Sequence, residues 1–189
     1  TDNDNSLVIN VPPDKTGRIR EYEALTVIEL GKRLGLSANK PLPKNGNFIS
    51  LLKPAIASSE FVDKDITYKA SFVNDGSLDS RWLAADTLAE LTIDLNPAEA
   101  FNKISIFEYK DTKNLPDGFS QIRTGRIQEY SIDILQNGHW QTIYLGTEPM
   151  GDCKVIRLPR NYQTTKLRLK ILKATAPPSL YELSVIKLL

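Results

Sequence analysis

From Phe48 to the end, the chain is written almost entirely in short runs where apolar and polar residues alternate. In ELTIDL (90–95), Leu91, Ile93 and Leu95 fall on one face. In EYSIDIL (129–135), Tyr130, Ile132 and Ile134 do the same. KISIFEY (103–109), WQTIYL (140–145), KVIRLP, KLRLKIL and LYELSVIKLL share the habit. A period of two places successive side chains on opposite faces of a strand, so one face can be buried. QNGHW (136–140) joins two such runs, and Asn-Gly suits the two positive-φ positions of a type I′ hairpin turn. Short strands, frequent turns and no convincing helix between them predict a β-sandwich. About 140 residues are enough to bury a core and fold alone.

The first forty residues differ. SLVINV (6–11) is a continuous apolar run suited to a strand buried on both faces, and PPDKTG (12–17) is a turn. A helix is expected from about Arg20, with Ala24, Val27, Ile28, Gly31 and Leu34 on one face. Glu21 and Glu23 suit its first turn, Lys32 and Arg33 its last, and Gly35 can end it. ANKPLPKNGN (38–47) has the composition of a linker. The expected organisation is a strand–helix unit at 1–37, a linker at 38–47 and the sandwich at 48–189. One strand and one helix cannot cover both faces of the strand. The abrupt opening TDNDNSLVINV therefore reads as the interior of something larger.

Composition removes several classes of function. Lys+Arg 24 against Asp+Glu 23 leaves a net charge of +1, without the one-sided basic charge of a nucleic-acid binder. Arg and Lys alternate in TKLRLKILK (165–173), which reads as the solvated face of a strand. No apolar run reaches the roughly 20 residues that cross a bilayer, and no signal peptide is visible. One cysteine, Cys153, excludes an intrachain disulfide, so sulfur chemistry does not indicate the compartment. Cys153 enters an alternating run and is expected to be a small buried thiol.

The densest polar stretch is NDGSLDSRW (74–82). Two readings fit it. One is a polar turn capped by its own Asp and Ser side chains. The other is a calcium loop, since calcium takes six to eight oxygens from carboxylates, hydroxyls, carbonyls and water. In the second, Gly76 allows the bend, and Asp75 and Ser80 supply side-chain oxygens.

ASFVNDGSLDSRW closely resembles a loop of the discoidin (coagulation factor 5/8 type C) domains and of carbohydrate-binding module family 32. Asp75-Gly76 and Ser80-x-Trp82 carry the resemblance, which runs from about Leu52 to Leu188. It implies a structural calcium ion held by Asp75, Ser80, carbonyls of Phe72 and Ser77, and Glu182 of LYELSVIKL. NSLVINVPPDKTGRIREYEALTVIELGKRLG is similar to the end of the catalytic barrel in glycoside hydrolase family 29 α-L-fucosidases. Asn5, Leu7, Asn10, Pro13, Asp14, Gly17, Ile19 and Gly31 fit that pattern, and Glu108, Gly125, Arg126, Trp140 and GTEPMGDCKVI (146–156) continue it. The implied fold is mainly β: a discoidin-like, galactose-binding-domain-like jelly-roll β-sandwich, preceded by a strand–helix remnant of a (β/α)8 barrel. The implied partners are the catalytic barrel of the parent chain and glycan, in the periplasm or outside the cell.

Retaining glycosidases need two carboxyl groups about 5 Å apart. In the resembled family these lie on earlier barrel strands, and Asp14 or Asp94 has no barrel here to position a sugar. A Ser–His–Asp triad would need the single histidine, His139, which falls in the predicted hairpin. Zinc ligands are lacking as well. No catalytic residue is expected in this chain. The alternative to a supporting domain is a lectin-like module that targets an enzyme to galactose- or fucose-containing glycans. The usual sugar-contacting set is altered: Leu83 follows Trp82 where His is common, Lys110 is near an Arg position, and Thr124 replaces Asn. Glu108, Lys110 and Arg126 are the candidate sugar contacts, although Glu108 and Arg126 could simply pair across neighbouring strands. Tyr109, Phe119 and Tyr162 are candidate stacking residues that equally suit a core or an interface.

Overall fold

Alternation becomes structure strand by strand. The structure is a computed structural model that describes residues 26, 27, 29, 30, 48–64, 66–114, 121–151 and 153–187. The chain divides into two compact units, Thr1–Leu42 and Pro43–Leu189. In the first, Thr26, Val27, Glu29 and Leu30 are helical, within the expected helix. The expected strand at 6–11, the turn at 12–17, the rest of that helix and the linker at 38–47 lie outside the described residues.

The second unit begins with short strands: β1 (Ala55–Ala57), β2 (Val62–Asp63), β3 (Ile66–Thr67), β4 (Trp82–Leu83) and β5 (Glu90–Asp94). Longer ones follow: β6 (Ala100–Glu108), β7 (Asp111–Asn114), β8 (Gln121–Thr124), β9 (Ile127–Gln136) and β10 (His139–Gly146). β11 (Cys153–Gln163), β12 (Lys166–Ala174) and β13 (Ser179–Ile186) complete the order. A five-stranded sheet runs β1-β5-β12-β9-β10 and a four-stranded sheet β11-β6-β13-β4, with β2–β3 and β7–β8 as two-stranded ribbons. The pairings are antiparallel, as local alternation with one buried face favours.

The core comes from the inward parity of each strand. Leu91, Ile93, Tyr130, Ile132, Ile134, Leu167 and Leu169 from the first sheet are at most 1% exposed. Phe101, Ile104, Ile106, Leu180, Leu183 and Val185 from the second are buried to the same degree. Trp82 is fully buried, and its indole N–H donates to the Ser59 carbonyl at 3.1 Å, satisfying the one polar atom it brings inside. The β9–β10 hairpin turns through Asn137 (φ 50) and Gly138 (φ 79), the left-handed pair expected of Asn-Gly. No helix among the described residues is long and apolar enough to cross a membrane.

Two expectations fail for reasons of parity and pairing. Cys153 is exposed, because Ile156 and Leu158 take the inward positions of β11 and leave 153 on the other face. The outer face of β12 is also less solvated than its alternating charges suggested. Arg168 lies opposite Asp133, and its Nε and Nη2 donate to Asp133 Oδ2 at 3.0 and 2.7 Å. Its Nη1 donates to Glu90 at 3.1 Å, and its guanidinium stacks 4.4 Å from the centre of the Trp140 ring. Opposed charges on neighbouring strands meet directly, so a row that looked like solvated lysines and arginines is partly closed.

Candidate functional site

Two polar regions are built on the four-stranded sheet, each around a buried glutamate. The first is the 74–82 loop. The 3-10 helix Ala70–Asn74 delivers the chain to it. The buried Asn74 side chain fastens the helix end, its Nδ2 donating to the carbonyls of Ser50 (2.6 Å) and Lys53 (2.8 Å). Gly76 then turns at φ +79, a conformation L side chains rarely adopt, and a Cβ there would press on Leu51 at 3.2 Å.

Inside the loop, Asp75 accepts a hydrogen bond from the Ser77 N–H at 2.9 Å and from the Ser80 hydroxyl at 2.5 Å. The Ser77 hydroxyl accepts from the Asp79 N–H at 3.1 Å. These are the self-capping contacts of the turn reading. Glu182 of β13 closes the loop from below, accepting from the Gly76 N–H at 3.2 Å and from the Ser184 hydroxyl at 3.3 Å. Glu182 is 8% exposed. Burial pushes its carboxyl up to about 7; the Asp75 charge adds to the rise, while the Gly76 and Ser184 donors oppose it.

Of the five oxygen donors expected for calcium, Asp75, Ser77, Ser80 and Glu182 share one hydrogen-bonded cluster. Phe72 lies in the 3-10 helix and takes no part in that network. Among the described residues no three His, Cys, Asp or Glu side chains converge as a metal site. The donor chemistry nevertheless fits a hard cation: two mutually repelling carboxylates, two hydroxyls and a sharp loop able to offer carbonyls.

The second region lies where β6 ends and β9 begins. Glu108, 3% exposed, aims one oxygen at the start of β9, accepting from the Arg126 and Ile127 N–H groups at 2.6 and 2.7 Å. Its other oxygen is buried against Gly125, where any Cβ would collide with it, and has no partner among the described residues. Burial raises the Glu108 carboxyl; the two N–H donors and the Lys110 and Arg126 charges hold that rise down. The expected side-chain pair between Glu108 and Arg126 is not what forms. Arg126 makes a two-pronged contact with Asp111, Nε to Oδ2 at 2.8 Å and Nη2 to Oδ1 at 2.6 Å, and gives Nη1 to the Pro177 carbonyl at 2.8 Å. That contact holds Asp111 below the usual carboxylate range and raises Arg126. Glu108 holds the backbone of Arg126 instead of its charge.

Around this pair stands a group that sequence reasoning missed. The Arg81 guanidinium lies 4.0 Å from the centre of the Tyr109 ring and 4.6 Å from that of Tyr68. Its Nη1 donates to the Ser179 hydroxyl at 2.7 Å, which itself donates to the Trp82 carbonyl at 2.7 Å. Tyr109 packs on Tyr181 at 5.7 Å and Tyr68 on Phe61 at 6.2 Å, and Arg126 lies 5.3 Å from Tyr109. Parity could have signalled Arg81, because a residue next to inward Trp82 must face the other way. Of the other stacking candidates, Tyr162 packs on Phe101 at 6.5 Å, and Phe119 lies outside the described residues.

No family model and no curated protein matches the chain. Solved structures do match. The fold they share is the discoidin-like β-sandwich of carbohydrate-binding modules. Chitosan-binding module 1 of a Paenibacillus chitosanase/glucanase is 20% identical, with a TM-score of 0.59 over 73% of this chain and 97% of that one. The family 32 module of C. perfringens NanJ, in complex with galactose, is also 20% identical, with a TM-score of 0.58 over 74% and 97%. A family 29 fucosidase from Ruminococcus gnavus, in complex with fucose, is 18% identical, with a TM-score of 0.57 over 94% of this chain. The chain spans about a third of that fucosidase, 32% of its length.

Proposed function

We propose that this chain is the C-terminal part of a glycoside hydrolase of the α-L-fucosidase kind, and that its sandwich is a non-catalytic accessory module supporting the barrel and contacting glycan. The observation that carries the reading is a double likeness of one fold. Sugar-binding modules taken from other enzymes match about three quarters of the chain, and a fucosidase matches 94% of it. On this reading the segment at 1–37 is the last strand and helix of the catalytic barrel, and the parent works in the periplasm or outside the cell, where such glycans occur. The glycan contact is assigned to the end of the sandwich that carries Tyr109, Lys110 and Arg126. Glu108 supports it from within, tying the start of β9 to the end of β6.

Calcium is part of the proposal. Asp75, Ser80 and Glu182, with the carbonyls of Phe72 and Ser77, would hold it, and the ion would neutralise two carboxylates that now repel each other. Its role is to stiffen the loop beneath Trp82, not to take part in a reaction.

Two measurements on the chain 1–189 test the reading. Hydrolysis of an aryl α-L-fucoside is expected to be absent, and turnover above background would overturn the non-catalytic assignment. Affinity electrophoresis through immobilised galactose- and fucose-terminated glycans, together with acidic polysaccharides, is expected to retard the protein. Unchanged mobility in every gel would remove the glycan-contact half.

A further inference from the structure

We infer that Arg81 is the centre of an anion-recognising sugar site: the sandwich takes glycan bearing a carboxylate or sulfate, gripped by this guanidinium beside two tyrosines. The inference rests on the glycan-contact reading and names the ligand class it selects.

Four arginines among the described residues lie against aromatic rings; Arg160, 5.0 Å from the centre of the Tyr162 ring, is exposed, and the three less exposed ones differ instructively. Arg168, over Trp140, gives Nε and Nη2 to Asp133 and Nη1 to Glu90. Arg126, near Tyr109, gives Nε and Nη2 to Asp111 and Nη1 to a carbonyl. Arg81, close to both the Tyr68 and the Tyr109 rings, makes one hydrogen bond, from Nη1 to Ser179, and no ion pair among the described residues. Among the described residues, its Nε and Nη2 have no hydrogen-bond acceptor. Asp111 feels the Arg81 charge, but both of its oxygens are already engaged by Arg126.

That geometry is selective. Two tyrosine rings, 4.6 and 4.0 Å from the guanidinium carbon, hold the cation against an aromatic surface. Ser179 holds its Nη1. What remains is a fork of parallel N–H donors, and its complement is a pair of oxygens carrying negative charge, as on a uronate or a sulfate ester. Arg81 is partly buried, so its charge is screened less than on an open surface. The negative charge of Asp111, which feels Arg81, is met by Arg126 in a two-pronged pair. Tyr181 and Phe61 extend the aromatic surface from Tyr109 and Tyr68, giving a sugar ring an apolar wall next to the charge.

The test is calorimetric titration of the chain 1–189 with oligogalacturonate, with a sulfated galactan oligosaccharide and with neutral galactan of equal length. The inference expects at least tenfold tighter binding of an acidic sugar than of the neutral one, weakening several-fold between low and 0.5 M salt. The two acidic arms decide whether carboxylate or sulfate is preferred. Arg81→Lys, which keeps the charge but removes the fork, should lose at least tenfold for the acidic sugar and little for the neutral one, with its melting temperature followed in parallel. A second readout needs no substitution: the Arg81 Nε–Hε resonance should shift on adding galacturonate oligomer and not on adding galactan. Neutral sugar bound as tightly as acidic would overturn the inference while leaving the glycan-contact reading intact. Failure of all three sugars would remove both. Inorganic sulfate bound as tightly as either acidic sugar would reduce the site to a plain anion site and overturn its assignment to glycan.

Discussion

Glu108 and Glu182 occupy matching situations and lead to opposite chemistry. Both sit on the four-stranded sheet, both are under a tenth exposed, and both fasten a glycine-bearing connection by accepting a main-chain N–H. Burial raises the carboxyl of each. They differ in their neighbours. Beside Glu108 are Lys110 and Arg126, which favour its charge; beside Glu182 is Asp75, which opposes it. A buried carboxylate among cations has part of its burial cost offset by their charge, even with one oxygen unpartnered. One beside a second carboxylate is electrostatically incomplete and gains from a cation.

The largest expected break between them is Glu108→Ala. It leaves the Arg126 and Ile127 N–H groups at the start of β9 without their acceptor. Each unsatisfied buried donor costs about 1 to 3 kcal/mol, so urea unfolding should show a loss of about 4 kcal/mol. Glu182→Ala frees the Gly76 N–H and the Ser184 hydroxyl, both long contacts, but relieves Asp75 and the cost of burying a carboxylate, so in chelator at pH 7 it should cost about 1 kcal/mol. Equal losses would show that the neighbours do not distinguish the two sites.

Next comes the pH dependence of Glu182 in chelator. Its folded carboxyl is pushed up to about 7, above its unfolded value, so between about pH 4.5 and 7 the folded state holds more proton than the unfolded one. Stability must therefore fall as pH rises through that window, by roughly 3 kcal/mol from this group. Glu108 adds a slope of the same sign, so the diagnostic quantity is the difference between wild type and Glu182→Gln. Unfolding free energies at pH 5, 6, 7 and 8 should diverge, with the variant flatter and more stable at pH 8. Parallel curves would mean that Glu182 ionises without penalty.

Calcium should reverse the sign of that penalty. At about a hundred times its dissociation constant, a ligand of the folded state stabilises by about 2.7 kcal/mol, a rise of several degrees in melting temperature. The rise over chelator should be larger at pH 8 than at pH 5.5, where protons compete for Glu182, and should vanish in Asp75→Asn. Identical melting curves at pH 8 with and without calcium would leave the 74–82 loop as the self-capped turn its hydrogen bonds already describe.

How much of this was legible in advance follows how local each feature is. The inward faces of β5 and β9 and the Asn137–Gly138 turn were readable because alternation and positive φ are properties of neighbouring residues. Asp75, Ser80 and Gly76 were readable for the same reason, being one loop. The exposure of Cys153 was not, since Ile156 and Leu158 set the parity of β11 only once the sheet exists. Nor were the partners of the arginines. Asp111 is 15 residues from Arg126, Asp133 is 35 from Arg168, and Ser179 is 98 from Arg81. Strand order decides those meetings, and alternation within a strand carries no information about strand order. Glu182 was found only through its resemblance to a known last strand, because its partner loop is 106 residues away.

The smallest predicted effect sharpens the Glu108 side of the contrast. Asp111→Asn removes the acid from a short two-pronged contact with Arg126, but the Asp111 side chain is 48% exposed. Exposed ion pairs contribute about 0.2 to 1 kcal/mol, so the loss should be about 0.5 kcal/mol and should shrink in high salt. The substitution also leaves the Arg126 charge uncompensated beside Glu108, which should draw the Glu108 carboxyl downward and offset part of the cost. A carboxyl carbon-13 titration should therefore show Glu108 moving down in Asp111→Asn, with Glu182 unmoved. If Glu108 stayed in place, or if the loss exceeded about 2 kcal/mol, the stability of this joint would lie in the Asp111 pair and not in the cations around a buried glutamate.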